Sequence, residues 1–263
     1  MSLKFNDTEG QQGIIQVIED EIGLRRGEIS DNAQKLAKFT ADVNIAFTEL
    51  VAIILDTAGI WQWDDTNQGH YATITTDLHP RQRDYSFIDV VGDPDDETVP
   101  NNLILDILKV LVKQPDGLFR ELDLVDQQQD KGVRDFWSGE NVMGVPTHYD
   151  LSANGIFIDP LPNYGVVSGG MKLYVNREQT FFTVDDTDKI PGVDARIHRF
   201  LALHPAYRYA RTKRLPHRND LYKELYGLNN RDSNSLVSLV KIVYSRRQRD
   251  KVVRIIPNID STR

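Results

Sequence analysis

The chain has no cysteine among its 263 residues. Disulfides, thiolate metal sites and a cysteine nucleophile are therefore excluded, and a reducing compartment suits it without being required. No apolar run reaches the roughly 18 residues that a membrane-spanning helix needs. The opening residues, MSLKFNDTEGQQ, lack the basic-then-apolar order of a signal peptide, and no lipidation motif is present. The expectation is a protein that neither spans a membrane nor is secreted by that route. Hydrophobic residues make up 40% and charged residues 27%, enough apolar material for a core and too much for a disordered chain.

Catalytic signatures are missing too. There is no G-x-S-x-G, no Walker loop, no dinucleotide fingerprint and no H-E-x-x-H. The six histidines, His70, His79, His148, His198, His204 and His217, show no paired-ligand spacing; His198 and His204, six apart, fall on different faces of a helix. Asp93, Asp95, Asp96 and Glu97 have the acidity of a calcium loop. They lack its glycine and its closing bidentate glutamate, so a solvated turn is the simpler explanation. Asp185, Asp186 and Asp188 fit a loop leading into a helix, where the dipole favours negative charge. The expectation is no enzyme, no metal and no cofactor. A metal-dependent enzyme or a carbohydrate-binding β-domain would instead use one of these acidic clusters.

The net charge of −8 conceals a division. Residues 191–263 hold 16 Lys and Arg against 6 Asp and Glu, a net of +10, which leaves −18 on the first 190. Opposite ends then meet different partners, or each other, or are two solvated faces that partly neutralise within one monomer. Arg196, Arg199, Arg208, Arg211, Arg214, Arg246, Arg247 and Arg249 are candidates for contact with nucleic-acid phosphates or with an acidic protein surface. No helix-turn-helix, zinc finger or RNP-like aromatic pattern accompanies them, so specific DNA reading is not expected.

Periodicity gives the organisation. Residues 1–12 are polar and read as a flexible start. Ile14, Ile15, Val17, Ile18 and Ile22 form a short helical stripe closed by Gly23 or Gly27. A longer helix follows, capped by Ser30 or Asp31 and ending at Gly59. Trp61 and Trp63 come next, as covers for a core edge.

From residue 71 the period becomes two, over 71–76, 85–91 and 104–112. The third of these also fits helical spacing, but Pro100 and the Pro115-Asp116-Gly117 turn bracket it tightly and favour strand. Residues 118–125 form a hairpin with it. Phe136 and Trp137 anchor a polar excursion over 127–139. A second hairpin joins 147–151 to 156–159 through an Asn-Gly turn, and Pro160 and Pro162 end it. Residues 171–176 and 179–184 add strand.

Pro191 marks the return to helix, with Pro205 expected to kink or break it. A short helix follows around 220–226, and a last one is capped by Ser233 or Asn234. The end, KVVRIIPNIDSTR, alternates like a strand without a sequential partner. The fold class is α+β. The N- and C-terminal segments, 1–66 and 191–250, form a helical bundle, an antiparallel β-sheet domain over 67–190 is inserted in it, and 251–263 is a docking tail.

The arrangement resembles the head-to-tail adaptor, or connector, proteins of tailed bacteriophages. The likeness rests on the N-terminal helical pair ending near Trp61 and Trp63 and on the β-insertion. It continues in the hairpin P-x-H-Y-D-L-S-x-N-G-I-F-I-D-P-L-P (146–162), the run MKLYVNREQTFFTVDDTDKIPG (171–192), and the helix HRFLALHPAYRYA (198–210). It covers most of the chain as an architecture. The resemblance implies a virion protein of the neck or tail, assembled in the host bacterial cytoplasm. Such a protein forms a homo-oligomeric ring, typically dodecameric, beneath the portal protein. The ring lines the DNA exit channel, touches packaged DNA non-specifically and receives a downstream tail or neck protein, without catalysis or a membrane.

On that expectation Lys251, Val252, Val253, Arg254, Ile255, Ile256 and Ile259 dock on the portal or a neighbouring subunit by strand addition. The eight arginines named above face a neighbouring subunit or the DNA channel. The alternative is another tail structural protein, of the baseplate, tail-completion or fibre-attachment kind.

Overall fold

A computed structural model describes residues 2–59, 73–86, 104–126, 142–152, 155–228 and 235–249, the side chains of the last stretch as far as Ser245. The chain divides into two units, a helical one of residues 1–67 with 181–263 and a β-rich one of residues 68–180. The fold class is α+β.

In the helical unit, the isoleucine stripe makes α1 (Ile14–Ile22), which Gly23 closes in the left-handed conformation at φ 72°. The loop after it is shaped by one buried carboxylate. Glu19 accepts the backbone N–H groups of Gly27 (3.0 Å), Ile29 (2.6 Å) and Ser30 (3.1 Å), so a charge inside the fold is surrounded by donors. Helix α2 (Ala33–Ala58) starts from Asn32, not from Ser30 or Asp31: the Asn32 Oδ1 accepts from the Lys35 N–H at 3.1 Å. It stops at Gly59, φ 69°. Its inward face is Leu36, Phe39, Val43, Ala46, Phe47, Leu50, Val51 and Ile54.

The start of the chain is not free. Phe5 is fully buried and stacks on Phe182 at 4.5 Å between ring centroids, with Phe47 at 6.0 Å from Phe182. The Phe5 N–H donates to the Lys189 carbonyl (2.7 Å), and the Lys4 carbonyl accepts from Ile14 (2.8 Å). The Gln16 amide bonds the buried Asn6 side chain at 2.8 Å. One aromatic ring in a polar stretch thus anchors the segment.

Phe182 explains a second difference. The strand expected over 179–184 does not form, because the long strand before it ends at Arg177. The Asn44 side chain takes the place of a strand partner, accepting from the Phe182 N–H and donating to its carbonyl, both at 2.9 Å. Residues 181–190 accordingly belong to the helical unit.

The C-terminal helices are α3 (His198–Lys213), α4 (Arg218–Tyr226) and α5 (Leu236–Arg249), with a 3₁₀ turn, Ala195–Ile197, leading into α3. Pro205 does not end α3, which continues to Lys213. Every residue from Phe200 to Ala206 is buried, and that packing holds the turn that proline's missing N–H weakens. Ser235 caps α5, its hydroxyl accepting from the Ser238 N–H at 3.2 Å. Ser233 and Asn234 lie outside the described residues.

Among the described residues the β-rich unit holds two four-stranded sheets and a short pair. The first sheet runs β1 (Thr73–Leu78), β10 (Val167–Arg177), β3 (Ile104–Lys113), β4 (Phe119–Glu121), all antiparallel. The second runs β2 (Asp84–Ser86), β8 (Gly155–Asp159), β7 (His148–Ser152), β5 (Asp123–Leu124). The expected β7–β8 hairpin forms, Ser152 opposite Gly155, and a Cβ on Gly155 would sit 2.8 Å from the Tyr85 carbonyl oxygen. Two pairings depart from the antiparallel expectation: β5 with β7, and β6 (Met143–Gly144) with β9 (Leu161–Pro162), are parallel. Leu78, Tyr85, Val110, Val112, Leu122, Tyr149, Ile156, Ile158, Met171, Leu173 and Val175 form the common core.

Candidate interaction surfaces

Three of the eight arginines expected to face a partner are paired inside the helical unit. Arg196 makes a two-point contact with Asp194 (2.9 and 2.6 Å), which holds the Asp194 carboxyl down to about 2. Arg199 of α3 reaches Glu21 of α1 and Glu224 of α4, both at 3.0 Å. Arg208 pairs with Asp42 of α2 at 3.3 Å. Arg211 and Arg214 make no ion pair among the described residues. Arg246, Arg247 and Arg249 lie on the last turns of α5, with their side chains outside the described set, as is the tail from Lys251 onward. The acidic α1 and α2 and the basic α3 thus bridge to one another. The two ends of the chain meet each other, one of the outcomes that the charge division allows.

The acidic loop before α3 is similarly engaged. Asp186 accepts the Thr183 N–H at 2.8 Å and lies 3.4 Å from Lys189, and Asp188 pairs with Lys4 at 2.6 Å. The carboxylate at the helical turn itself is Asp194, which accepts the Arg196 N–H. Among the described residues no group of three His, Asp or Glu side chains could hold a metal ion. Asp93, Asp95, Asp96, Glu97, Trp61, Trp63, Phe136 and Trp137 lie outside them.

Among the described residues two histidines are buried, both in the helical unit. His204 Nε2 lies 2.9 Å from the Glu49 carboxylate, and its Nδ1 is buried without a hydrogen-bond partner. Burial outweighs the Glu49 charge and pushes the imidazole below the ordinary histidine value. Beside it, Tyr207, Tyr222 and Tyr226 form a ring cluster with centroids 5.2 to 6.4 Å apart. Burial raises the Tyr226 hydroxyl to about 12. A shallow pocket on this unit is lined by Leu3, Val17, Asp20, Glu21, Ala195 and Arg199. Asp20 is paired with Arg26 (3.0 Å) and Glu21 with Arg199, so neither is left as a free acid or base.

The β-rich unit differs in what it exposes. Ten of the seventeen large hydrophobic side chains exposed among the described residues are there: Leu105, Leu108, Leu118, Phe119, Leu124, Val142, Met143, Val145, Leu151 and Val166. Leu118, Leu124 and Val166 are 63%, 58% and 58% accessible. Leu105 and Leu108 stand out because β3 is bulged against β10. Asp106 and Ile104 oppose Asn176 and Arg177, and Lys109 and Ile107 oppose Tyr174 and Val175, which leaves each leucine as the extra residue.

Leu118–Leu124 escapes the expected alternation because the chain changes partner there, from β3 to β7, on either side of buried Leu122. The run LFRELDLV holds five apolar residues of which only Leu122 and Val125 are buried. That density at adjacent positions 118 and 119, and again at 124 and 125, was the available signal for an apolar exterior.

No helix among the described residues is long and apolar enough to cross a membrane. Comparison of the chain with known protein families and with curated proteins finds no match.

Proposed function

We propose that this protein works by assembly, as a head-to-tail adaptor of a tailed bacteriophage. In this reading, copies join in a ring beneath the portal and receive the next tail component, while DNA passes through. The observation that carries an assembly role is the outward apolar side chains of the β-rich unit, chiefly Leu118, Phe119, Leu124 and Val166. Exposed apolar side chains of this size mark a contact surface where they lie in one contiguous patch, and among the described residues no metal-binding group of His, Asp or Glu lies among them. The likeness of the 146–162 hairpin and the 198–210 helix to the adaptor family supplies the particular assembly.

In this ring the occupant of those apolar side chains is a neighbouring copy of this chain, since closing a head-to-tail ring buries two different, mutually complementary faces of every subunit. Because most described α3 arginines are paired internally, the contact between subunits is apolar more than ionic.

Electron microscopy of the purified protein, alone and mixed with its portal, tests the proposal. A closed ring that caps the portal is the expected result. A trimer or hexamer without portal affinity would favour a baseplate, tail-completion or fibre-attachment role, and a monomer that binds no portal would overturn both readings.

A further inference from the structure

His198 sits where the chain's first residues meet the start of α3, and its hydrogen bonds fix its protonation state. The Leu3 N–H donates to His198 Nδ1 at 3.1 Å, and His198 Nε2 lies 2.9 Å from the Val193 carbonyl oxygen. A backbone N–H can only donate and a carbonyl can only accept. Nδ1 must therefore be bare and Nε2 must carry the hydrogen, which is the neutral imidazole. A proton added at Nδ1 would set two N–H groups against each other inside the fold.

We infer that His198 is a pH-sensitive latch on the amino-terminal segment. At neutral pH the imidazole holds Leu3 against α3, and Leu3 forms one wall of the pocket shared with Val17, Asp20, Glu21, Ala195 and Arg199. Protonation removes the acceptor, and Leu3 leaves that wall. Phe5, stacked on Phe182 and bonded to Lys189, stays as the inner anchor. The moving part is thus the outer end of the segment.

The charges around the ring do not prevent this. On the 3₁₀ turn, Asp194 favours the imidazolium but is already held by Arg196. Lys4 is neutralised by Asp188. Asp20 and Glu21 of α1 are engaged by Arg26 and Arg199, and Tyr244 of α5, facing Asp194 and Arg196, is raised to about 12 by burial. The amino terminus opposes a second positive charge. Burial, the largest influence, lowers the His198 pKa from its ordinary value.

The sign follows: a histidine whose folded pKa is depressed favours the closed state above its unfolded value of about 6.5 and gives up that preference as pH falls.

The test is nitrogen-15 NMR of the histidines in the full chain, with hydrogen exchange of the 2–6 backbone followed from pH 7.5 to 5 and corrected for the intrinsic rate. The expected result is an Nε2–H tautomer for His198 at pH 7.5 and exchange at Leu3 rising severalfold by pH 5. The α2 amides should change less. His198→Asn offers a non-titrating acceptor, and there the rise should vanish. An Nδ1–H tautomer in the wild type, exchange at Leu3 independent of pH, or the same rise in His198→Asn would overturn the latch. The tautomer measurement stands even if the variant folds poorly.

Discussion

The helical unit ties its own distant segments together, stacking Phe5 from the first residues on Phe182, more than 170 positions away, and pairing Arg199 and Arg208 of α3 with carboxylates of α1, α2 and α4. The β-rich unit keeps a core of its own but leaves Leu118, Leu124 and Val166 in water. Among the described residues the helical unit exposes apolar side chains too, Leu228 at 69% the most, but fewer than the β-rich unit does. A net charge counted over half a sequence does not separate these cases; the pairing of each charge does.

The sharpest way to break the comparison is to remove a ring from the helical core. Phe5→Ala or Phe182→Ala should cost about 3–5 kcal/mol, the range for a buried phenylalanine, read as a fall in denaturation midpoint. A loss within experimental error for Phe5→Ala would mean that the first residues are not part of the core. Glu19→Ala should cost about 3 kcal/mol, because it strands the Gly27, Ile29 and Ser30 N–H groups, again measured by chemical denaturation.

A smaller effect comes from acid. His204, with its folded pKa depressed by burial, supports stability above the unfolded histidine value of about 6.5 and loses it as pH falls. Denaturation at pH 7.5 and 5.5 should show this loss, and His204→Gln should reduce it. Least of all, Arg199→Ala and Arg208→Ala should each cost about 1 kcal/mol or less, since both pairs are partly exposed and screened. If these pairs are what the α3 arginines are for, the native mass of the protein should be the same in low and high salt. Dissociation by salt would instead return the arginines to a contact between subunits.

Much of the fold was legible in the chain. The stripe Ile14–Ile22, the 26 residues of α2 stopped by Gly59, and the Asn-Gly hairpin each follow a local rule that tertiary packing did not overrule. What escaped depends on distant partners. Phe5 looks like part of a polar tail until Phe182 is beside it, and residue 182 looks like strand until the Asn44 amide takes up its backbone groups. Pro205 should break a helix exposed to water; buried on both sides, it does not. The exposed apolar side chains were hardest to see. An exposed leucine and a core leucine are the same letter, and only the partner change at Leu122 and the bulges at Leu105 and Leu108 decide which is which.

The account rests most on the claim that the apolar exterior of the β-rich unit joins subunits. The direct test is the native mass of the purified protein beside a Leu118→Ser, Leu124→Ser, Val166→Ser triple variant, with unfolding followed in parallel. Exposed positions such as these should alter stability by only about 0.5 kcal/mol each. The expected outcome is a ring-sized assembly for the wild type and a folded, smaller species for the variant. An unchanged assembly in a folded variant, or a wild type that stays monomeric, would contradict it.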